Sequence, residues 1–122
     1  MVGGGTDPGA LFEGHPDGFA LYEAVAAAVA AIGEAEVRTT KSQIAFRRRK
    51  GFAFVWRPGQ YIDSKVPAVL SIALPERLDS ERFKEVAHPS PKSWMHHLEL
   101  HEPGEVDAEV RSWLVSAYRA AA

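Results

Sequence analysis

QIAFRRRKGFAFVWR, residues 43–57, decides the fold of this chain. Ile44 and Phe46 precede a cationic cluster, and Phe52, Phe54 and Trp56 follow it, each set recurring at every second position. That is the period of a β-strand, and Gly51 after the cluster supplies a turn residue, so the stretch predicts a hairpin. A two-residue loop would place Arg49 and Lys50 at positive φ, where neither is comfortable. A three-residue loop is the expectation, with Arg49 and Lys50 in a type I turn and Gly51 in the left-handed position of a bulge. That register pairs Ile44 with Trp56, Phe46 with Phe54 and Arg48 with Phe52. The rings then share one face, and Ala45, Arg47, Ala53 and Val55 share the other.

Outward from the hairpin, the period changes. Towards the N-terminus, Phe19, Tyr22, Val25, Val29 and Ile32 recur at helical spacing between Pro16 and Gly33, the stripe and stop of an amphipathic helix. Val37 and Thr39 then predict a short strand. Towards the C-terminus, Pro58, Gly59, Asp63 and Pro67 mark a loop. Beyond it Leu70, Ile72 and Leu74 alternate with Val69, Ser71 and Ala73 as a well-buried strand ended by Pro75. Phe83 to Ala87 gives another short strand before a loop at Pro89 and Pro91. From Trp94 to His101 the alternation is clear, with Trp94, His96, Leu98 and Leu100 on one face and Met95, His97, Glu99 and His101 on the other. A last helix starts at Asp107 as N-cap and carries Val106, Val110, Trp113, Leu114, Ala117 and Ala121. The fold class is therefore α+β: a mainly antiparallel sheet of four to six strands flanked by an N-terminal and a C-terminal helix. Residues 1–11 read as a flexible tail and 12–122 as a single domain, the size that 122 residues suits.

Three segments together, TKSQIAF at 40–46, GFAFVWRPGQY at 51–61 and WMHHLEL at 94–100, resemble the bacterial domain-of-unknown-function family numbered 5655. The resemblance runs from about Phe12 to Ala120. It implies a small α+β domain and carries no assigned activity, so no catalytic residue is transferred from it.

Composition removes several classes of function. The chain has no cysteine, which excludes disulfides, thiolate nucleophiles and Cys-type zinc sites. Its longest apolar run, Ala24 to Ile32, covers nine residues and is mostly alanine, against about 20 needed to cross a bilayer. Met1 to Gly9 has neither the basic head nor the apolar run of a secretion signal. The expectation is a cytoplasmic protein without membrane contact. No Walker-type loop, no G-x-S-x-G elbow and no EF-hand loop occurs.

Charge is unevenly spread. The net charge is −2, yet from Arg38 to Arg57 there are seven basic residues and no acidic one, and local sign decides what a surface attracts. Lys41, Arg47, Arg49, Lys50 and Arg57 with Phe52 or Trp56 suggest anion or nucleic-acid binding, phosphate supplying affinity and rings supplying stacking. Lys41, Ser42 and Gln43 lie at a sheet end where a pocket could hold a carboxylate or phosphate. His97, Glu99 and His101 form an H-x-E-x-H pattern, but residues i and i+4 of a strand lie about 13 Å apart, so the outer histidines cannot share one ion. That face is expected to be polar and solvated. His96 points inward and needs a hydrogen-bond partner.

The functional expectation is a non-catalytic binding or interaction module for an anionic ligand, nucleic acid or protein partner, without cofactor or metal. Its expected ligand-binding residues are Lys41, Gln43, Arg48, Arg49, Trp56, Arg57 and His97. The alternative is a small enzyme using His97 and Glu99 for acid/base or metal chemistry.

Overall fold

Asp7 begins the part of the chain that the computed structural model describes, residues 7–122. Its carboxylate accepts the N–H of Ala10 at 2.8 Å and caps one helical turn, α1 (Pro8–Leu11). Leu11 and Phe12 are buried. Folded chain thus begins ahead of residue 12, because Leu11 has a core to enter; residues 1–6 of the expected tail lie outside the described residues.

Helix α2 (Pro16–Ile32) opens on a proline, whose missing N–H costs nothing in a first turn, and stops at Gly33. It buries Leu21, Val25, Ala28 and Val29, with Phe19, Tyr22 and Ile32 at the margin of the core. The buried stripe is centred on Leu21 rather than on Phe19 and Tyr22. Gly18 is the one residue in this helix that packing explains and propensity does not. In an open helix Gly→Ala is worth about 1 kcal/mol of stability, but a Cβ here would stand 2.6 Å from the Phe12 ring and 2.8 Å from the Pro67 carbonyl oxygen. Gly18→Ala is therefore expected to destabilise by about 1–3 kcal/mol through overpacking. An unchanged or raised urea midpoint would refute that close approach.

Six strands follow: β1 (Glu36–Thr39), β2 (Ile44–Arg47), β3 (Gly51–Trp56), β4 (Ala68–Leu74), β5 (Glu85–Ser90) and β6 (Ser93–Leu100). They form one antiparallel sheet in the order β1-β2-β3-β4-β6-β5. Helix α2 and the C-terminal helix α3 (Ala108–Ala120) pack on one face, over Ile44, Phe46, Ala53, Val55, Leu70, Ile72, Leu98 and Leu100. The fold is the expected α+β class with a helix at each end.

The hairpin register differs from the expected one by a single residue. Ile44 pairs with Val55, Ala45 with Phe54 and Phe46 with Ala53, and the register then shifts so that Arg47 faces Gly51. The bulge exists, but its extra residue is Phe52 inside β3 and not Gly51 in the turn. Gly51 does not adopt positive φ, since Gly14 alone does among the described residues. Its lack of a side chain instead makes room for Phe54, whose Cζ would lie 2.7 Å from a Cβ at that position. At the bulge Phe52 and Ala53 both enter the core, where Phe52 meets Tyr118 edge-on at 5.5 Å. Phe54 and Trp56 are thereby sent to the other face, away from Phe46.

The far edge also departs from expectation. β5 runs through Pro89, which the edge strand tolerates because it has positions that need no ladder donor and proline has no N–H to give, and the register slips between Ala87 and Ser90. The long loop from β4 to β5 is pinned to α3 by Arg82. Its guanidinium donates to the Asp107 carboxylate at 3.0 and 3.1 Å, to Glu109 at 2.9 Å and to the Glu105 carbonyl at 3.0 Å, and lies over the Trp113 ring. Asp107 also caps α3 by accepting the Val110 N–H. That bond first, and Arg82 second, holds its carboxyl below the usual range. His96 is fully buried and satisfied: Nε2 accepts the Leu78 N–H at 3.0 Å, and Nδ1 lies 3.0 Å from the Trp94 carbonyl oxygen.

Candidate functional site

Among the described residues no helix covers the second face of the sheet, and there the pairing aligns Ala45, Phe54, Ser71, His97 and Glu85 in one row across five strands. Trp56 stands beside this row, opposite Val69. β4 is apolar on its core face, so its lone hydroxyl at Ser71 is notable: the residue is only 2% exposed and must find partners. It has two. The Trp56 Nε1–H donates to Ser71 Oγ at 2.9 Å, and Ser71 Oγ lies 2.7 Å from His97 Nδ1.

Because an indole N–H can only donate, Ser71 Oγ accepts that hydrogen bond and keeps its own hydroxyl proton free to point at His97. In the tautomer whose Nδ1 accepts from that hydroxyl, the neutral ring carries its proton on Nε2 and can donate from there. Burial lowers the His97 pKa, the facing Glu85 carboxylate raises it, and His96 lowers it, with a net fall below 6.5. Burial in the sheet thus favours the uncharged imidazole. Trp56 meets it edge-on at 6.2 Å.

Two loops close the end of this face. Thr40 Oγ1 accepts the N–H groups of Ser42 and Gln43, each at 3.2 Å, and the Thr40 N–H donates to the Gln43 carbonyl at 2.9 Å. After β3, Pro58–Gln60 form a 3-10 turn. The Gln60 amide donates to the Lys41 carbonyl at 2.9 Å, which ties the loops together and carries Tyr61 to within 6.2 Å of Trp56. The result is a groove of about 580 Å³ walled by Phe54, Trp56, Tyr61 and Met95, with Ser42, Gln43, Ser71 and His97 as its polar groups.

Of the expected ligand-binding residues, Gln43, Trp56 and His97 come together in this groove. Lys41 and Arg57 line a neighbouring recess with Gln60. Arg48 and Arg49 are at the other end of the hairpin. Arg48 lies 4.0 Å over the Tyr118 ring and donates to the Tyr118 carbonyl, and the Arg49 N–H donates to the Ala121 carbonyl. The turn is thus docked on the C-terminal end of α3, where positive charge is favoured. Arg38 and Arg47 both approach Glu36. Folding thus disperses the basic window: Lys41 and Arg57 lie beside the groove, and Arg48 and Arg49 lie at the other end of the hairpin.

Phe54, Tyr61, Ser71 and Met95 were not anticipated. Phe54 was assigned to the core by the hairpin register, whereas Ser71 carried a readable signal as a single hydroxyl in an apolar strand. His97 and Glu99 do share the open face, but Glu99 pairs with Val69 rather than Ser71. Among the described residues no three metal-ligating side chains gather, and no helix is long and apolar enough to cross a membrane.

A family model described as Domain of unknown function (DUF5655) matches residues 9–121. No curated protein and no solved structure matches the chain.

Proposed function

Since the chain belongs to the DUF5655 family, which brings no activity with it, we propose from the groove itself that this is a non-catalytic binding module of the bacterial cytoplasm. Its ligand is a small molecule with a flat ring. The observation that carries the reading is the position of Trp56 and Phe54: two large rings stand on the uncovered face of the sheet beside an oriented histidine, although the helix-covered face could have sheltered them. Rings so placed offer stacking surface, and a few fixed polar groups at the edge supply orientation. The absence of cysteine suits a reducing compartment.

A small ligand is favoured over a nucleic-acid strand because the side chains of Arg38, Arg47 and Arg48 have protein partners away from the groove, and Arg49 sits beside Arg48 at the other end of the hairpin. A catalytic reading would rest on the Ser71–His97 contact of 2.7 Å. Ser71 is nearly sealed and already receives the Trp56 N–H, so its contact with His97 serves to hold the ring rather than to attack a substrate.

The test uses the three tryptophans, whose indole N–H signals are separable in a ¹H–¹⁵N spectrum. Flat aromatic and heteroaromatic probes are expected to move the Trp56 signal and leave those of Trp94 and Trp113 in place. Trp56→Ala is expected to weaken binding by roughly tenfold or more, as loss of one stacking ring does. If no ring-bearing probe moves the Trp56 signal, the proposal fails.

A further inference from the structure

Two recesses of opposite character meet at the end of the sheet. The aromatic groove takes Ser42, Trp56 and Tyr61, and the second recess, about 410 Å³, takes Lys41, Arg57 and Gln60. At three separate points, 41/42, 56/57 and 60/61, consecutive residues serve the two sides, so a single thickness of chain divides them. The Gln60–Lys41 hydrogen bond of 2.9 Å fixes that divide.

The second recess is built around two cationic side chains, Lys41 and Arg57, that form no ion pair among the described residues. Among the described residues no carboxylate comes within 4.0 Å of Lys41 or Arg57, although Glu13 lines the same recess. Arg57 Nε and Gln60 Oε1 are shielded from solvent without a hydrogen-bond partner. Without a carboxylate on it, the Arg57 guanidinium gains from an oxyanion, which it can meet with its terminal N–H donors. The groove beside it contains no acidic side chain, and its His97 Nε2–H calls for an acceptor on the ring edge.

We infer that the ligand is a nucleoside phosphate, its base stacked on Trp56 in the aromatic groove and its phosphate held by Lys41 and Arg57 across the Gln60 divide. This rests on the binding reading above and adds the tethered anion to it. The same chemistry occurs in a free nucleotide and at the end of a single strand, and the experiment separates them.

¹⁵N-labelled protein is titrated with AMP, adenosine, inorganic phosphate and a short single-stranded oligonucleotide. AMP is expected to bind about tenfold or more tightly than adenosine, the gain a charge-assisted contact brings, and to move both the Trp56 indole signal and the Gln60 backbone signal. Lys41 is exposed and outside the core, so Lys41→Glu should fold normally; it is expected to reduce AMP to the affinity of adenosine while leaving adenosine unchanged. Tighter binding of the oligonucleotide than of AMP would overturn a free nucleotide as the ligand and assign the site to a strand. Equal affinity for AMP and adenosine, with no effect of Lys41→Glu, would overturn the tethered anion and leave the aromatic groove standing. Failure of every ring-bearing probe at Trp56 would remove the groove reading itself.

Discussion

Phe46→Ala is expected to cost about 3–5 kcal/mol of stability and Phe54→Ala about 1 kcal/mol, although both are phenylalanines of the same hairpin. Phe46 is 1% exposed and stacks near Tyr22 with ring centroids 6.1 Å apart. Removing its ring opens a cavity beneath α2 that the sheet cannot collapse to fill. Phe54 lies on the uncovered face over Gly51, outside the hydrophobic core, so water replaces it at little cost. In the register that pairs Phe46 with Phe54 the two rings would share a face and their losses would be alike. Urea denaturation of the two variants decides between the arrangements. Equal losses would return Phe54 to the core and dissolve the groove.

A second pair of variants is expected to separate neighbours just as sharply. His96→Leu should lose about 2–4 kcal/mol, because leucine matches the apolar surroundings but leaves the Leu78 N–H and the Trp94 carbonyl without their partner. The melting temperature should fall by on the order of 10 °C. His97→Leu should cost less and should change how stability depends on pH. With its folded pKa lowered from 6.5, chiefly by burial, His97 takes up a proton more readily in the unfolded chain. Its contribution is complete above about pH 6.5 and is lost as pH falls from there towards the folded value. His97→Leu should therefore flatten the decline in melting temperature between neutral and mildly acidic pH, while other titrating groups act equally on both proteins. A slope identical to that of the parent protein would show that His97 is not held neutral by the sheet.

These pairs also show where the sequence was informative. The alternation of 94–100 placed His96 inward and His97 outward, because successive side chains of a strand must take opposite faces whatever else surrounds them. β4 is read from its own pattern in the same way, with Ser71 opposite the core. Asp107 as helix cap and Gly33 as helix stop are local chemistry and need no tertiary partner. The strand through Pro89 was not legible, since the prohibition on proline in a sheet lifts only at an edge, and edges are assigned by the whole topology.

The candidate site was legible in part. Gln43, Trp56 and His97 were singled out for their chemistry, and folding brings them together from three segments. Arg48 and Arg49 carried the strongest charge signal and lie elsewhere, because a turn must be docked on something and the carbonyl end of α3 attracts cations.

What the sequence by itself determined is the set of elements: two long helices, the hairpin, and the strands whose two-residue period is written in their side chains. What only the tertiary structure decided is which face of β3 meets the helices. A strand of Phe, Ala, Phe, Val and Trp has no polar face to break the tie, and either register buries apolar surface. The tie is broken outside the hairpin. Phe52 has Tyr118 to pack against and bulges into the core with Ala53, and Trp56 has a hydroxyl waiting on Ser71 of the neighbouring strand. Those two contacts turn a hairpin read as core into the wall of an open groove.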